Sequence, residues 1–462
     1  MDSIQMETKN PRLNIVMVPW LAHGHISPYL ELAKRLSNRN FKIYLCSTPI
    51  NLSSIKKRVT QEYSHSIKLI ELHIPSQPDL PHPNFHTTNG LPLHLHSVLK
   101  RAMDMASPSF TEIIKTLKPD ILIYDFNQQW ASTAAASIGI PAVQFLTSNA
   151  SSLCYVLLLF KKQDVDFSYP VLNLGTHWNQ QFQKLLNSSA NDQSQAQSGS
   201  TGTMPTSRTC DITLMKTFGE MEGKYIDYGS KLLGKKIVPT GPLIQEHEVS
   251  EDNSEIMEWL NNKETSSTVF VSFGTEFFLS REETEEVAKG LELSMVNFIW
   301  VLRFSFEEKI TIEEALPNGF LERVGDRGLV VEKWVPQARI LGHPNVGGFV
   351  SHCGWGSTIE ALSFGVPILA IPMTHEQPVN ARLVEEIGVG LEVNRDDNGR
   401  FSGKEIADLI SELIVGEKGK KIRDKAREMR EKIISRGEED IDDVMEELYK
   451  LYKNKIDGES KA

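Results

Sequence analysis

The sequence predicts an α/β protein built from two doubly wound, Rossmann-like domains. Three observations predict it. Short β-rich runs alternate with amphipathic helical stretches, the pattern of parallel sheets joined by crossover helices. That rhythm halts at a segment punctuated by Pro and Gly, then starts again. The chain has 462 residues, room for two domains of about 200 residues each and too much for one ordinary core.

In the first half, strands are predicted at Asn14 to Val18, Phe41 to Cys46, Ile67 to His73, Ile121 to Tyr124, Ala142 to Leu146 and Ile212 to Met215. Residues 1–243 form the first domain. Val238-Pro-Thr-Gly-Pro-Leu243, followed by polar and acidic residues, reads as the approach to a linker at 244–253, with a cleft expected between the domains. The second half repeats the pattern at Thr268 to Phe273, Phe298 to Arg303, Leu329 to Glu332, Gly348 to Ser351 and Pro367 to Ile371, giving a second domain over 254–436. Two amphipathic helices close the chain, carrying Ile422, Ala426, Met429 and Ile433, then Ile441, Val444, Leu448 and Leu451. Residues 437–462 are expected to pack back on the first domain. Asn187 to Ser207, rich in Ser, Gln, Gly and Asn, is expected to be a mobile surface loop.

Composition narrows the function. Hydrophobic residues make up 40% and charged residues 24%, so sizeable cores are available. The formal net charge of −11 repels a phosphate backbone, which excludes nucleic acid and anionic membranes as partners. An anionic ligand must therefore be held locally. Met1 to Arg12 has no apolar signal region, and the longest apolar run, Leu153 to Phe160, falls far short of the roughly 20 residues that span a bilayer. Four cysteines without paired spacing favour reduced thiols and a cytoplasmic location. Asn51, Asn149 and Asn187 open glycosylation patterns that read as chance matches in that compartment.

The segment from Trp334 to Gln377 carries the most chemistry. The apolar run Gly348-Phe-Val ends at Ser351-His352, and a glycine-containing turn leads into a helical stretch at Thr358. A helix N-terminus there favours an anion by roughly 0.3–1 kcal/mol per charge, and a diphosphate is the natural guest. His352 and Ser357 can add donors, Glu360 can accept from ribose hydroxyls, and Trp334 offers an aromatic face to a base. Trp334 and Trp355 could equally be core aromatics, with the glycines merely making turns.

Taken jointly, Trp334-Val-Pro-Gln337, Gly347-Gly-Phe-Val-Ser-His352-Cys-Gly-Trp-Gly-Ser357-Thr-Ile-Glu360 and His375-Glu376-Gln377 resemble the plant secondary-product signature of family 1 UDP-sugar glycosyltransferases. The resemblance extends over essentially the whole chain and implies a GT-B fold of two facing Rossmann-like domains. It implies that Trp334 stacks uracil, Gln337 holds base or ribose, Glu360 binds ribose hydroxyls, and His352, Ser357 and Thr275 contact the diphosphate. Glu376 and Gln377 match positions that grip sugar hydroxyls, Gln377 favouring glucose, while Val335, Trp355 and Gly356 complete the implied donor site. Two departures stand out. Gly356 replaces the usual Asn, removing an amide donor, and Glu376 replaces the usual Asp, one methylene shorter.

In the first domain, strand Asn14 to Val18 runs into Pro19-Trp-Leu-Ala-His23-Gly24-His25. A histidine just past a strand's C-terminal end sits where open α/β sheets bind ligands, and its neutral ring can take a proton from an alcohol. Strand Ile121 to Tyr124 ends at Asp125, whose carboxylate can orient that ring. By spacing alone such a histidine is more often a structural hydrogen-bonder. The resemblance aligns Gly24-His25 and Tyr124-Asp125 with the family's catalytic dyad, leaves His23 aside, and matches Thr147 to a contact near the sugar's 6-hydroxyl. Asp164-Val-Asp166 has a metal-binding D-x-D form but reads as a solvated loop, and Cys353 beside His352 reads as structural because neighbours on a strand end face opposite ways. No metal and no cofactor are expected.

The resemblance implies an inverting displacement: His25 deprotonates an acceptor hydroxyl that attacks the anomeric carbon of UDP-glucose, leaving a β-glycoside and UDP. His86-Thr-Thr-Asn-Gly-Leu-Pro92, Ile123-Tyr-Asp-Phe-Asn-Gln128 and Glu222-Gly-Lys-Tyr225 look like the branch-forming members that add sugar to the sugar of a glycoside. Relatives using UDP-glucuronate carry Arg three residues after the catalytic His; here that position is Pro28, which disfavours glucuronate. A monomer acting on a small-molecule glycoside is the expectation. Glucosylation of a flavonoid or terpenoid aglycone, UDP-sugar epimerisation and non-catalytic UDP-sugar binding stay open as alternatives.

Overall fold

The computed structural model describes residues 11–80, 82–164, 168–191, 211–245, 254–275, 277–304, 310–374, 376–396 and 398–459. The chain divides into two compact units, Met1–Asn149 with Asp192–Leu243 and Arg436–Ala462, and Ala150–Asn191 with Ile244–Ser435.

The first unit holds a parallel sheet of seven strands: β1 (Asn14–Val18), β2 (Lys42–Ser47), β3 (Ile67–Glu71), β4 (Ile121–Tyr124), β5 (Ala142–Leu146), β6 (Ile212–Met215) and β7 (Lys236–Pro239). Their order is β3-β2-β1-β4-β5-β6-β7. The order reverses between β1 and β4, where Val18 pairs with Tyr124, and a crevice for ligands forms at such a switch point. β4 and β5 are buried along their whole length, as expected of strands covered on both faces. The closing helix Glu439–Glu459 puts Ile441, Val444, Leu448 and Tyr449 into the same core as Ile15, Met17 and Ile43. Arg39 to Asp442 (2.6 Å) and Lys236 to Glu447 (2.9 Å) clip it at the rim.

The second unit holds six parallel strands: β8 (Thr268–Ser272), β9 (Asn297–Val301), β10 (Gly328–Val331), β11 (Val346–Ser351), β12 (Ile368–Ala370) and β13 (Gly390–Glu392), in the order β10-β9-β8-β11-β12-β13. Its switch point lies between β8 and β11, where Ser272 pairs with Ser351.

Three readings of the sequence need correction. β7 lies where the sequence suggests the linker approach, and β13 carries no strand signal of its own; both are short edge strands, and an edge tolerates the terminal Pro239 and the leading Gly390. The stretch Ala150–Asn191, assigned by sequence to the first domain, belongs to the second unit. Helix Ala150–Lys161 and the turn Pro170–Leu172 pack on helix Gln377–Glu386, and Ser152 Oγ donates to Asn380 Oδ1 at 3.1 Å within the buried contact. Helix Gly175–Asn191 takes up the first residues of the anticipated mobile loop, whose remainder lies outside the described residues. Residues 246–253 of the linker, Val165 and Asp166, Cys210 and His375 also lie outside them. No helix among the described residues is long and apolar enough to cross a membrane. Asn51 and Asn149 are buried, which bars glycan attachment to the folded chain.

Candidate active site

The first cluster forms at the β1/β4 switch point. After β1 the chain turns into helix His23–Ser37, with His25 in its first turn. Asp125 directly follows β4, and its backbone N–H donates to Val18 O (3.2 Å), which ties the two strand ends together. The Asp125 side chain is fully buried and both oxygens are engaged. Oδ1 accepts from the Asn127 backbone N–H (3.2 Å), capping the short turn Phe126–Gln128, and Oδ2 lies 2.7 Å from His25 Nδ1. A carboxylate only accepts, so it fixes the proton on Nδ1 and makes Nε2 the basic nitrogen. The His25 side chain is 21% exposed, open enough for solvent or substrate to reach it. Thr147, just past β5, brings Oγ1 to 3.2 Å from the same Nδ1. Phe126 stands beside the imidazole, ring centroids 6.0 Å apart, and is itself exposed. This arrangement can hold a hydroxyl at Nε2, take its proton, and stabilise the resulting imidazolium.

The second cluster forms at the β8/β11 switch point. β8 leads into Phe273-Gly274-Thr275, and β11 leads through His352-Cys353-Gly354 into helix Trp355–Ser363. Cys353 has φ +59°, held there by its N–H to Ser351 Oγ (3.1 Å). His352 is nearly buried between two glycines. A Cβ on Gly274 would stand 2.7 Å from His352 Nε2, and one on Gly354 would stand 2.6 Å away. Gly274 also has φ +82°, a conformation open mainly to glycine. Imidazole, two backbone loops and a helix N-terminus thus converge where a dianionic group is best held.

Gln337 opens helix Gln337–Leu341, and its Nε2 donates to Glu360 Oε2 (2.6 Å) and Ser357 Oγ (3.4 Å), so three of the anticipated residues share one hydrogen-bonded cluster. Trp334 is 56% exposed, and the Arg303 guanidinium lies 5.3 Å from its ring centroid. These two follow the ends of neighbouring strands β10 and β9, a proximity that the sequence did not signal. Gln377 Oε1 accepts from the backbone N–H groups of Met373 (2.9 Å) and Thr374 (3.0 Å), which leaves its Nε2 donors for a ligand. Glu376 precedes it, half-buried. The side chains of Trp355 and Val335 are buried, whereas Gly356 is exposed on the first helical turn. Thr275 is half-buried on the β8 loop. Burial pushes the Cys353 thiol up, which keeps it protonated and inert. Asn380, missed by sequence, is fully buried and donates to Cys353 O (2.8 Å), bracing the turn. Among the described residues no group of three or more His, Cys, Asp or Glu could hold a metal ion.

Comparison with known proteins bears on this geometry. Residues 240–423 match the family described as UDP-glucoronosyl and UDP-glucosyl transferase, and residues 12–245 match that described as Glycosyltransferase, N-terminal domain. The chain is 49% identical to beta-D-glucosyl crocetin beta-1,6-glucosyltransferase of Gardenia jasminoides, over 94% of this chain and 98% of the relative. It is 48% identical to a mogroside IIIx synthase of Siraitia grosvenorii, over 95% of this chain and 93% of the relative. Among solved structures, a Glycyrrhiza uralensis UGT complexed with glycyrrhetinic acid 3-O-monoglucuronide superposes with a TM-score of 0.82 at 22% identity, covering 98% of each chain.

Proposed function

Since the chain belongs to the family of UDP-glucuronosyl and UDP-glucosyl transferases, we propose that it transfers glucose from UDP-glucose, with inversion, to a sugar hydroxyl of a plant glycoside. It is a UDP-glycosyltransferase, and its two parallel-sheet units are those of the GT-B fold.

In this reading the acceptor hydroxyl donates a hydrogen bond to His25 Nε2. Its proton passes to that nitrogen as its oxygen attacks the anomeric carbon from the face opposite the leaving group. The bond from C1 to the phosphate oxygen breaks with both electrons staying on UDP, and a β-glycoside forms from the α-linked donor. Asp125 meets the imidazolium across 2.7 Å. Charge building on the diphosphate is met by the N-terminus of helix Trp355–Ser363, His352, Ser357 and Thr275. Trp334 stacks the uracil, Gln337 and Glu360 hold base and ribose, and Glu376 and Gln377 hold the glucose.

The single observation that carries the chemistry is the His25–Asp125 contact at a sheet switch point. Two observations support a glycoside acceptor. The Gardenia relative is named for acting on a glucosylated substrate. The segment His86 to Pro92 also lies along the loop that delivers His25, the Thr88 N–H donating to Leu21 O at 2.9 Å. Donor preference for glucose over glucuronate is supported by Pro28, buried one helical turn beyond His25, where a cation would be needed for a carboxylate. The test is a panel of glycosides and their aglycones with UDP-glucose, read by mass and linkage. Products on glycosides alone are expected; turnover on aglycones alone would overturn the acceptor assignment. His25→Ala should abolish transfer while UDP binding survives.

A further inference from the structure

The guanidinium of Arg395 lies just beyond β13, in the second unit, and belongs to none of the residues assigned above. It is half-buried against two aromatic rings. Trp178, on helix Gly175–Asn191, has its ring centroid 5.5 Å away, and that of Phe401 is 4.8 Å away. Nη1 donates to Gly399 O (2.6 Å), while Nη2 donates to Pro372 O (2.7 Å) and reaches Met373 Sδ (3.0 Å).

The contact with Pro372 O matters because of what the same peptide group does at its other end. The amide joining Pro372 to Met373 presents its carbonyl to Arg395 and its N–H to Gln377 Oε1 (2.9 Å). A cationic donor on the carbonyl polarises the amide and strengthens the N–H as a donor. The next N–H, of Thr374, meets the same Gln377 oxygen at 3.0 Å. Gln377 is thereby locked with its oxygen inward. A flipped amide would set its NH2 against two N–H donors, which is unfavourable in a site where Gln377 is 7% exposed.

We propose that Arg395, held between Trp178 and Phe401, is a positioning residue that fixes the Gln377 amide as a hydrogen-bond donor toward the donor sugar. This rests on the reading that Gln377 grips that sugar. Its consequence is that Gln377 can only donate to an acceptor oxygen of the sugar, and that recognition of the hexose depends on helix Gly175–Asn191, which the chain supplies from between β5 and β6.

Arg395→Lys keeps the charge and removes the planar fork, and Trp178→Leu removes the aromatic wall; both avoid the large cavity of an alanine. Each is measured for KM of UDP-glucose and for the inhibition constant of UDP, which lacks the sugar. KM should rise about fivefold, the worth of roughly one net hydrogen bond, with UDP inhibition unchanged. Trp178→Phe should restore the KM. Gln377→Asn should raise KM likewise, and adding Arg395→Lys to it should change nothing further. If Gln377→Asn raises KM and Arg395→Lys does not, or if UDP inhibition weakens in step with KM, the positioning role is wrong. If Gln377→Asn itself leaves KM unchanged, the sugar assignment of Gln377 has failed, and the role of Arg395 falls with it.

Discussion

Asp125 Oδ2 lies 2.7 Å from His25 Nδ1, and Asp125 Oδ1 is committed to the Asn127 backbone N–H at 3.2 Å. The carboxylate therefore cannot turn away from the ring. Asp125→Asn should keep the cap and the fold but offer either a wrong donor or a weak acceptor to Nδ1. Transfer should fall about 10²- to 10⁴-fold, the usual worth of a well-placed base. UDP affinity by calorimetry should stay as it is. Transfer by this variant within about tenfold of the parent would remove Asp125 from the chemistry.

Thr147 Oγ1 touches the same ring nitrogen at 3.2 Å, so its first duty in this geometry is to His25. Thr147→Val should lower kcat about fivefold, one hydrogen bond's worth, without altering KM for UDP-glucose. The resemblance instead puts Thr147 near the sugar's 6-hydroxyl. UDP-xylose, which lacks that arm, separates the two: an equal loss with both donors supports contact with His25, whereas a loss confined to UDP-glucose supports contact with the sugar.

Gly274 and Gly354 clear the space that His352 fills. Gly274→Ala adds a methyl 2.7 Å from His352 Nε2 and sets an L-residue at φ +82°. Left-handed backbone alone costs about 1–2 kcal/mol. The imidazole must shift, and UDP affinity should fall about tenfold, the loss of a hydrogen bond to a charged group. Unchanged UDP binding would take His352 out of the diphosphate site.

Burial pushes the Glu392 carboxyl up from 4.5 to about 7, although Arg382 Nε stands 3.2 Å from it. The folded chain keeps a proton there that the unfolded chain releases, so stability falls as pH rises through this window and the deficit is complete above it. Glu392→Gln removes the deficit. The variant should match the parent near pH 4.5 and gain on it above pH 7, with a ceiling of about 3 kcal/mol. Urea titrations across that range check the slope, and a difference independent of pH would contradict the account.

Strands with several consecutive apolar residues were legible in the sequence to within two residues, because burial on both faces demands such runs. The edge strands β7 and β13 were not, since an edge admits Pro and Gly that elsewhere mark turns. Asp125 directly follows β4 and His25 lies a short loop beyond β1, but the family motif rather than this spacing singled them out; their contact at 2.7 Å required the strand order that makes β1 and β4 neighbours. The tether from Ser152 through Asn380 to Cys353 O joins segments far apart in the chain, and no local pattern encodes it. Trp355, which the motif places at the donor site, has its side chain buried, a placement set by how helix Trp355–Ser363 packs.

The path of Ala150–Asn191 bears on how such proteins can be recombined. A chimera spliced at the interdomain linker would graft a foreign Trp178 and Ser152 onto a host's Arg395 and Asn380, mispairing the second unit while leaving both halves nominally intact. Crossovers bracketing residues 150–191 and 436–462 respect the physical modules, and hybrids built that way should inherit acceptor choice from one parent and nucleotide handling from the other.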